Sequence, residues 1–319
     1  AAAKLSDTAT GDTLAPKNKP VRVEPIDRPS PVLATALIAR TQADDDKLST
    51  SLQRILEEDA SLIVEQNDET KQTLLWGMGE THLTITLEKL DRKFGVQVDQ
   101  EPVRVAYRET ISRPTQAEGK HKKQSGGHGQ FGVCHLRFRP LPRGEGFVFV
   151  DEVKGGSIPR QFIPDVEKGL LETMENGGNH GYPVVDLEVT VDDGKDPSVD
   201  SSEMAFKLAA RAGFKEAFES AGPIVLEPVS KVRITVPPQY QGDVMGDVAA
   251  RRGAVQGSLA IGVVTQTIED DFPTSEIVRY AIDLRSLSNG WGSFSAELDH
   301  YQELPSHLVD RAMAAAAAE

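Results

Sequence analysis

The residues whose types and spacing could do chemistry cluster between Lys120 and Gly132, in the stretch KHKKQSGGHGQFG. Lys120, Lys122 and Lys123 supply point charges suited to phosphate oxygens, and Gly126, Gly127, Gly129 and Gly132 permit positive φ and close backbone approach. Directly after the glycines, Cys134, Leu136 and Phe138 alternate with His135, Arg137 and Arg139, the period of a half-buried strand. The stretch reads as a basic hairpin loop carried on a sheet. Two roles are open to it: contact with a phosphate-bearing ligand, or a solvated turn whose lysines keep the chain soluble.

Other constellations are weaker. His121, His128 and His135 lie near Cys134, but their seven-residue step matches neither the CxxC nor the HxxxH spacing of a zinc site. Asp192 and Asp193, or Glu269, Asp270 and Asp271, lack the phosphate-cradling glycines that would accompany magnesium ligands, and read as solvated loop charge. His82, in GMGETHL, has no serine, cysteine or acid pair beside it, so it reads as a packing or domain-contact residue.

The chain has 319 residues, enough for two or three domains, and its 39% hydrophobic and 26% charged content is that of a soluble protein. A net charge of -14 argues against broad binding to nucleic acid, so any RNA contact must be local. Cys134 is the single cysteine and reads as a small core residue. No apolar run approaches a membrane span, and the first residues lack the order of a secretory signal, so the expected compartment is the cytoplasm.

Five segments must position these residues. Residues 1–30 are rich in proline and weakly periodic, the pattern of a linker. From Val32, an apolar run precedes a helix marked by Leu48, Leu52, Ile55 and Leu56; a hairpin through Asn67 follows, then a helix stepping Leu83, Leu87, Leu90 and Phe94 to Gly95, and a strand through Val96–Val105. This β-α-β-β-α-β order is the ferredoxin-like plan. Residues 107–227 differ. They hold the basic loop, strands ending at Phe138 and over Phe147–Val150, a helix after Ile163-Pro164, a strand through Val185–Val191, a turn DDGKDPS, and a helix capped by Ser201 or Ser202. From Pro228 the first order returns, with helices over Gln241–Gly253 and Ser275–Ser288, and the chain ends in an alanine-rich helix. Joints are expected near Arg104–Thr110 and Leu226–Ser230.

Four stretches carry a family resemblance: LLWGMGETHL; QSGGHGQFG with GGSIPRQFIPDVEKG; GYPVVD with VDSSEMAFKLAA; and YAIDLRSLSNGWGSFSAELDHYQELP. Their order and spacing resemble the C-terminal half of bacterial translation elongation factor G, and GHGQFGVCHL with LPRGEGF resembles its elongation-factor-G-like paralogues. The resemblance implies an α+β multidomain chain, two ferredoxin-like domains flanking a ribosomal-protein-like α+β domain. Residues 1–30 would end a preceding β-barrel domain, followed by a third domain over 31–106, a fourth over 107–227 and a fifth over 228–304, with the helix of 305–319 packing on the fourth.

By the same resemblance the partners are the ribosome, its RNA and proteins, and tRNA with mRNA, met by a monomer without a membrane. The tip loops that would touch RNA are Lys120, Lys122, Lys123, Gln124, Ser125, Gly126, Gly127, His128, Gly129 and Gln130, together with Lys195, Asp196, Pro197 and Ser198. GTP and Mg²⁺ would belong to an N-terminal domain of a longer parent, because this chain has no GxxxxGK[ST] motif and offers no catalytic, metal or cofactor residue. It is expected either to be a fragment of a translation GTPase that promotes tRNA–mRNA translocation or a related step, or a ribosome-binding, recycling or rescue module without a motor. One departure stands out: where the family carries a histidine before VDSSE, this chain has Pro197.

Overall fold

The computed structural model describes residues 8, 10–24, 30–125, 128–195, 202–261 and 265–317. They divide into two compact units, one of Ala1–Arg104 with Ser230–Leu298, the other of Val105–Val229 with Asp299–Ala318. In the first unit, β1 (Leu33–Ala39), α1 (Gln42–Glu58), β2 (Ile63–Gln66), β3 (Thr73–Gly77), α2 (Glu80–Lys89) and β4 (Val98–Glu101) follow in order. The sheet order β2-β3-β1-β4 is the ferredoxin-like arrangement. Thr41 caps α1 by accepting from the Asp44 amide, and Leu48, Leu52 and Ile55 bury the face that their spacing predicts. Gly95, at φ 62°, ends the second helix after a π turn over Leu90–Phe94. The strand expected over Val96–Val105 shrinks to the four residues of β4. The Val96 amide closes the π turn onto the Leu90 carbonyl, and Pro102 has no amide for a ladder, its carbonyl taken instead by Gln72 Nε2.

The second unit holds β5 (Arg108–Ile111), β6 (Thr115–Ser125), β7 (His128–Pro140), β8 (Phe147–Asp151), α3 (Ile163–Asn176), β9 (Leu187–Lys195) and α4 (Glu203–Ser220). A sheet of order β6-β7-β9-β8, with β8 and β9 parallel, buries Leu136, Phe138, Val189 and Val191 against Leu170, Met174, Phe206, Phe214 and Phe218 of the two helices. Ser202 is the α4 cap, its hydroxyl accepting from the Ala205 amide. Two expectations are corrected. Lys120, Lys122 and Lys123 belong to a strand and not to a loop, and Asp192–Lys195, read as part of a turn, extends β9. Both follow from long two-strand pairing, which keeps the backbone hydrogen-bonded well past the last buried side chain.

β10 (Pro223–Val236) pairs first with β5 and is followed by α5 (Gln241–Ala250), β11 (Ala254–Ile261), β12 (Thr265–Pro273), α6 (Thr274–Ile277), α7 (Tyr280–Leu287), β13 (Ser293–Glu303) and α8 (Ser306–Ala317). The order β11-β12-β10-β13 repeats the ferredoxin-like arrangement. The joint expected at Leu226–Ser230 lies inside β10, with Leu226, Glu227, Val229 and Ser230 all buried. The helix expected over Ser275–Ser288 is two pieces. Arg251 Nη1 donates to the Glu276 carbonyl at 3.1 Å, the acceptor that the Tyr280 amide would use in an unbroken helix. Within the second unit, Leu308, Val309, Ala312 and Met313 of α8 pack on Tyr107, Val225 and Leu304.

Candidate nucleic-acid interface

The β6–β7 hairpin stands on α4 because glycines leave room for it. A Cβ on Gly119 would sit 2.1 Å from the Ala209 carbonyl oxygen, and one on Gly132 would sit 3.0 Å from the Ala205 backbone. Gly132, read from sequence as a turn glycine, is thus a close-approach residue in a strand. Its neighbours alternate. Gly119 and Cys134 face the helix, whereas Lys120, Lys122, Phe131, Val133, His135 and Arg137 belong to the opposite, outer face.

Register then aligns that outer face across strands. Lys120 lies opposite Val133, Val133 opposite Lys195, and Lys122 opposite Phe131. Lys123 lies opposite Gln130 on the helix-facing side. Gln124, Ser125, His128, Gly129 and Gln130 are placed by backbone alone, Gln124 opposite Gly129 and Ser125 opposite His128. Gly126, Gly127, Asp196, Pro197 and Ser198 lie outside the described residues.

Charge divides the face into two regions. Away from the hairpin end, the cations are matched: His135 Nδ1 lies 2.5 Å from Asp192 Oδ1, Arg137 Nε 2.8 Å from Asp192 Oδ2, and Arg137 also pairs with Glu152. Arg139 grips Glu188 through two hydrogen bonds, at 3.0 and 2.6 Å, and holds that carboxyl below its usual range. Lys120, Lys122, Lys123 and Lys195 are exposed, and among the described residues no carboxylate lies within ion-pair distance of them. Asp193, beside Lys195 in sequence, is held low chiefly by the Gly194 amide. Lys195 adds to that lowering of Asp193, yet phosphate oxygens would meet ammonium groups outside any ion pair here and not at the arginines. Sequence gives no sign of the matched arginines or of the row through Lys195, because both depend on cross-strand register.

The remaining candidates resolve into structure. Cys134 is buried, its thiol pushed up to about 12 by desolvation and secondarily by Glu118; it faces away from His135, so the two cannot share an ion. Among the described residues no group of three or more potential metal-ligating side chains gathers. Met78 N donates to His82 Nδ1 at 3.1 Å, and His82 Nε2 lies 2.9 Å from Asp59 Oδ2, which makes His82 a clamp between α2 and the end of α1. Beside it a cavity of about 340 Å³ is lined by Met78–His82, Ala281, Ile282 and Arg285, and Arg285 Nη2 donates to the Met78 carbonyl at 2.6 Å.

Family models match nearly the whole chain: elongation factor G domain III over residues 28–102, domain IV over 103–222 and the elongation factor G C-terminus over 224–312. The chain belongs to the elongation factor G family. An elongation factor G-like protein of Mycobacterium tuberculosis (strain ATCC 25618 / H37Rv) is 45% identical over 313 residues, 98% of this chain and 44% of that protein. The counterpart from strain CDC 1551 / Oshkosh gives the same figures. A solved crystal structure, that of ttk003000868 from Thermus thermophilus, superposes with a TM-score of 0.80 at 36% identity, over 94% of this chain and 46% of that one. The elongation factor G fold seen here is therefore under half the length of these relatives. The hairpin with its lysines falls in the domain IV match, and the two ferredoxin-like sheets fall in the matches on either side. Among the described residues no helix is long and apolar enough to cross a membrane.

Proposed function

We propose that this chain is the ribosome-binding C-terminal half of an elongation-factor-G-like translation factor, and that the end of the β6–β7 hairpin meets RNA during tRNA–mRNA translocation or a related ribosomal step. The observation that carries this is the set of exposed lysines, 120, 122, 123 and 195, that stand in no ion pair among the described residues, in a chain whose net charge is -14. An acidic protein repels phosphates except where cations gather without carboxylates, and the hairpin end gathers several such lysines on one sheet. Lysines are point charges without a base-reading fork, so the contact positions the factor on RNA backbone and tolerates any tRNA identity. GTP and Mg²⁺ would act in sequence outside this chain. The reading also makes domains of 31–106, 107–227 and 228–304, the middle one presenting the tip.

The test is the triple variant Lys120→Ala, Lys122→Ala, Lys123→Ala in the full-length protein. Ribosome affinity should fall, and the slope of log affinity against log salt should flatten by roughly 0.7–0.9 for each phosphate no longer engaged. Unchanged affinity with an unchanged salt slope would sink the proposal.

A further inference from the structure

The turn between α7 and β13 presents a tryptophan to solvent. Trp291 is 72% exposed, yet the backbone that carries it is firmly held. Ser288, fully buried, accepts from the Gly292 amide at 2.7 Å and donates to the Leu284 carbonyl at 2.6 Å. The Gly290 amide donates to the Arg285 carbonyl at 2.7 Å, the Trp291 amide to the Ser288 carbonyl at 3.1 Å, and Asn289 Nδ2 to the Tyr240 hydroxyl at 3.0 Å. Asn289 and Gly290, at φ 52° and 85°, are left-handed, the conformation so tight a turn requires. Among the described residues no second ring, cation or hydrogen-bond partner meets the indole.

Arg285, whose carbonyl the turn uses, is exposed and donates to the Met78 carbonyl at 2.6 Å. It stands in no ion pair among the described residues, whereas Arg251 and Arg279 are matched to carboxylates. With Gly292 and the hydroxyls of Thr235, Ser293 and Ser295 it lines a cavity of about 300 Å³. The ring's neighbours in sequence, Ser288, Asn289, Gly290, Gly292 and Ser293, are small or polar and supply no apolar collar of the kind that surrounds an anchor at a protein interface. A flat ring between two glycines, with an unmatched guanidinium close by, suits an unpaired base and its phosphate. Duplex RNA keeps its base faces stacked and offers none to such a ring.

We infer that Trp291 is a stacking anchor for one unpaired RNA base, with Arg285 meeting the adjoining phosphate, a second RNA contact that shares no residue with the hairpin. It rests on the proposal that the chain meets RNA and adds a class of RNA to it.

The test uses the purified chain and two labelled strands of equal phosphate count, oligoadenylate of about twelve nucleotides and its fully abasic analogue, followed by anisotropy at low salt. The wild type should bind the base-bearing strand about tenfold more tightly than the abasic one. Trp291→Ala should bring that ratio close to one while abasic affinity and thermal midpoint stay put, because the ring is exposed and uncharged. Trp76→Phe leaves Trp291 as the remaining tryptophan, and its emission should be quenched by the base-bearing strand alone. Equal binding of both strands, no binding of either, a ratio that survives Trp291→Ala, or no quenching overturns the inference. A ratio lost with Lys120, Lys122 and Lys123 instead would give the base dependence to the hairpin, so the inference falls and the hairpin proposal stands. Should those lysines leave ribosome binding and its salt slope unchanged while the Trp291 ratio holds, the hairpin proposal falls and this one stands. Ribosome affinity that Trp291→Ala weakens without any base dependence would assign the ring to a protein partner, which also overturns it.

Discussion

Asp270 is a carboxylate in the wrong place for a charge. It lies on β12 between Ile268 and Phe272, is 1% exposed, and neither of its oxygens has a hydrogen-bond partner. Burial pushes its pKa up from 3.8 to about 6; the nearby Asp271 and Ala254 amides, outside good hydrogen-bond geometry, pull it back only in part, and the Asp271 charge raises it further. The folded state therefore holds this proton more tightly than the unfolded chain does. Stability from this group is greatest below pH 4, declines between pH 4 and 6, and levels off above the folded value, with a loss of about 3 kcal/mol from two units at 1.36 kcal/mol each. Asp270→Asn keeps the volume and removes the ionisation. Urea unfolding of wild type and variant at pH 4.5 and 7.5, with amide exchange along β10 and β12 as the local readout, measures the difference. The variant should lose this pH dependence, gaining on the wild type by about 2 kcal/mol between the two pH values, because part of the loss already lies below pH 4.5. Equal pH dependence in the two proteins would mean that Asp270 is hydrated or paired in solution, and the reasoning from its burial would fail.

Gly119→Ala should destabilise the second unit by about 3 kcal/mol, because the added carbon meets the rigid α4 backbone at 2.1 Å; thermal unfolding checks this, with Gly144→Ala as a control whose only defect is its φ of 87°. If the proposed translocation role holds, Pro197→His in the full-length protein should raise that activity while leaving the thermal midpoint in place, since the family resemblance implies an imidazole at this position. A variant that translocates no faster would show that Pro197 does not set this paralogue apart.

What the sequence makes legible is whatever repeats with a period and is buried on one side. Leu48, Leu52 and Ile55 announce α1, and Val166, Leu170 and Met174 announce α3, because each set forms one apolar stripe that the core needs. The β6 segment, TQAEGKHKKQS, announces nothing. Only Ala117 gives its inward face an apolar side chain, Gly119 packs through its lack of one, and toward the tip both faces are polar. Residue type therefore draws the eye to the candidate site, while its local structure stays hidden, and a strand stands where composition suggests a loop.

Its decisive feature is a single irregularity that no periodicity could reveal. Between Leu136 opposite Val191 and His135 opposite Asp193, β9 carries one extra residue, Asp192, whose carboxylate takes both His135 and Arg137. Had the ladder continued unbroken, Lys195 would fall opposite Gly132, on the face that α4 covers; the bulge moves it opposite Val133, onto the face of Lys120. Strand parity makes this an all-or-none effect, since a one-residue slip turns every following side chain over. The ion pairs at the bulge and the lysines beyond it belong together: the bulge at Asp192, where His135 and Arg137 are paired, sets the register that delivers Lys195 to the row proposed to face RNA.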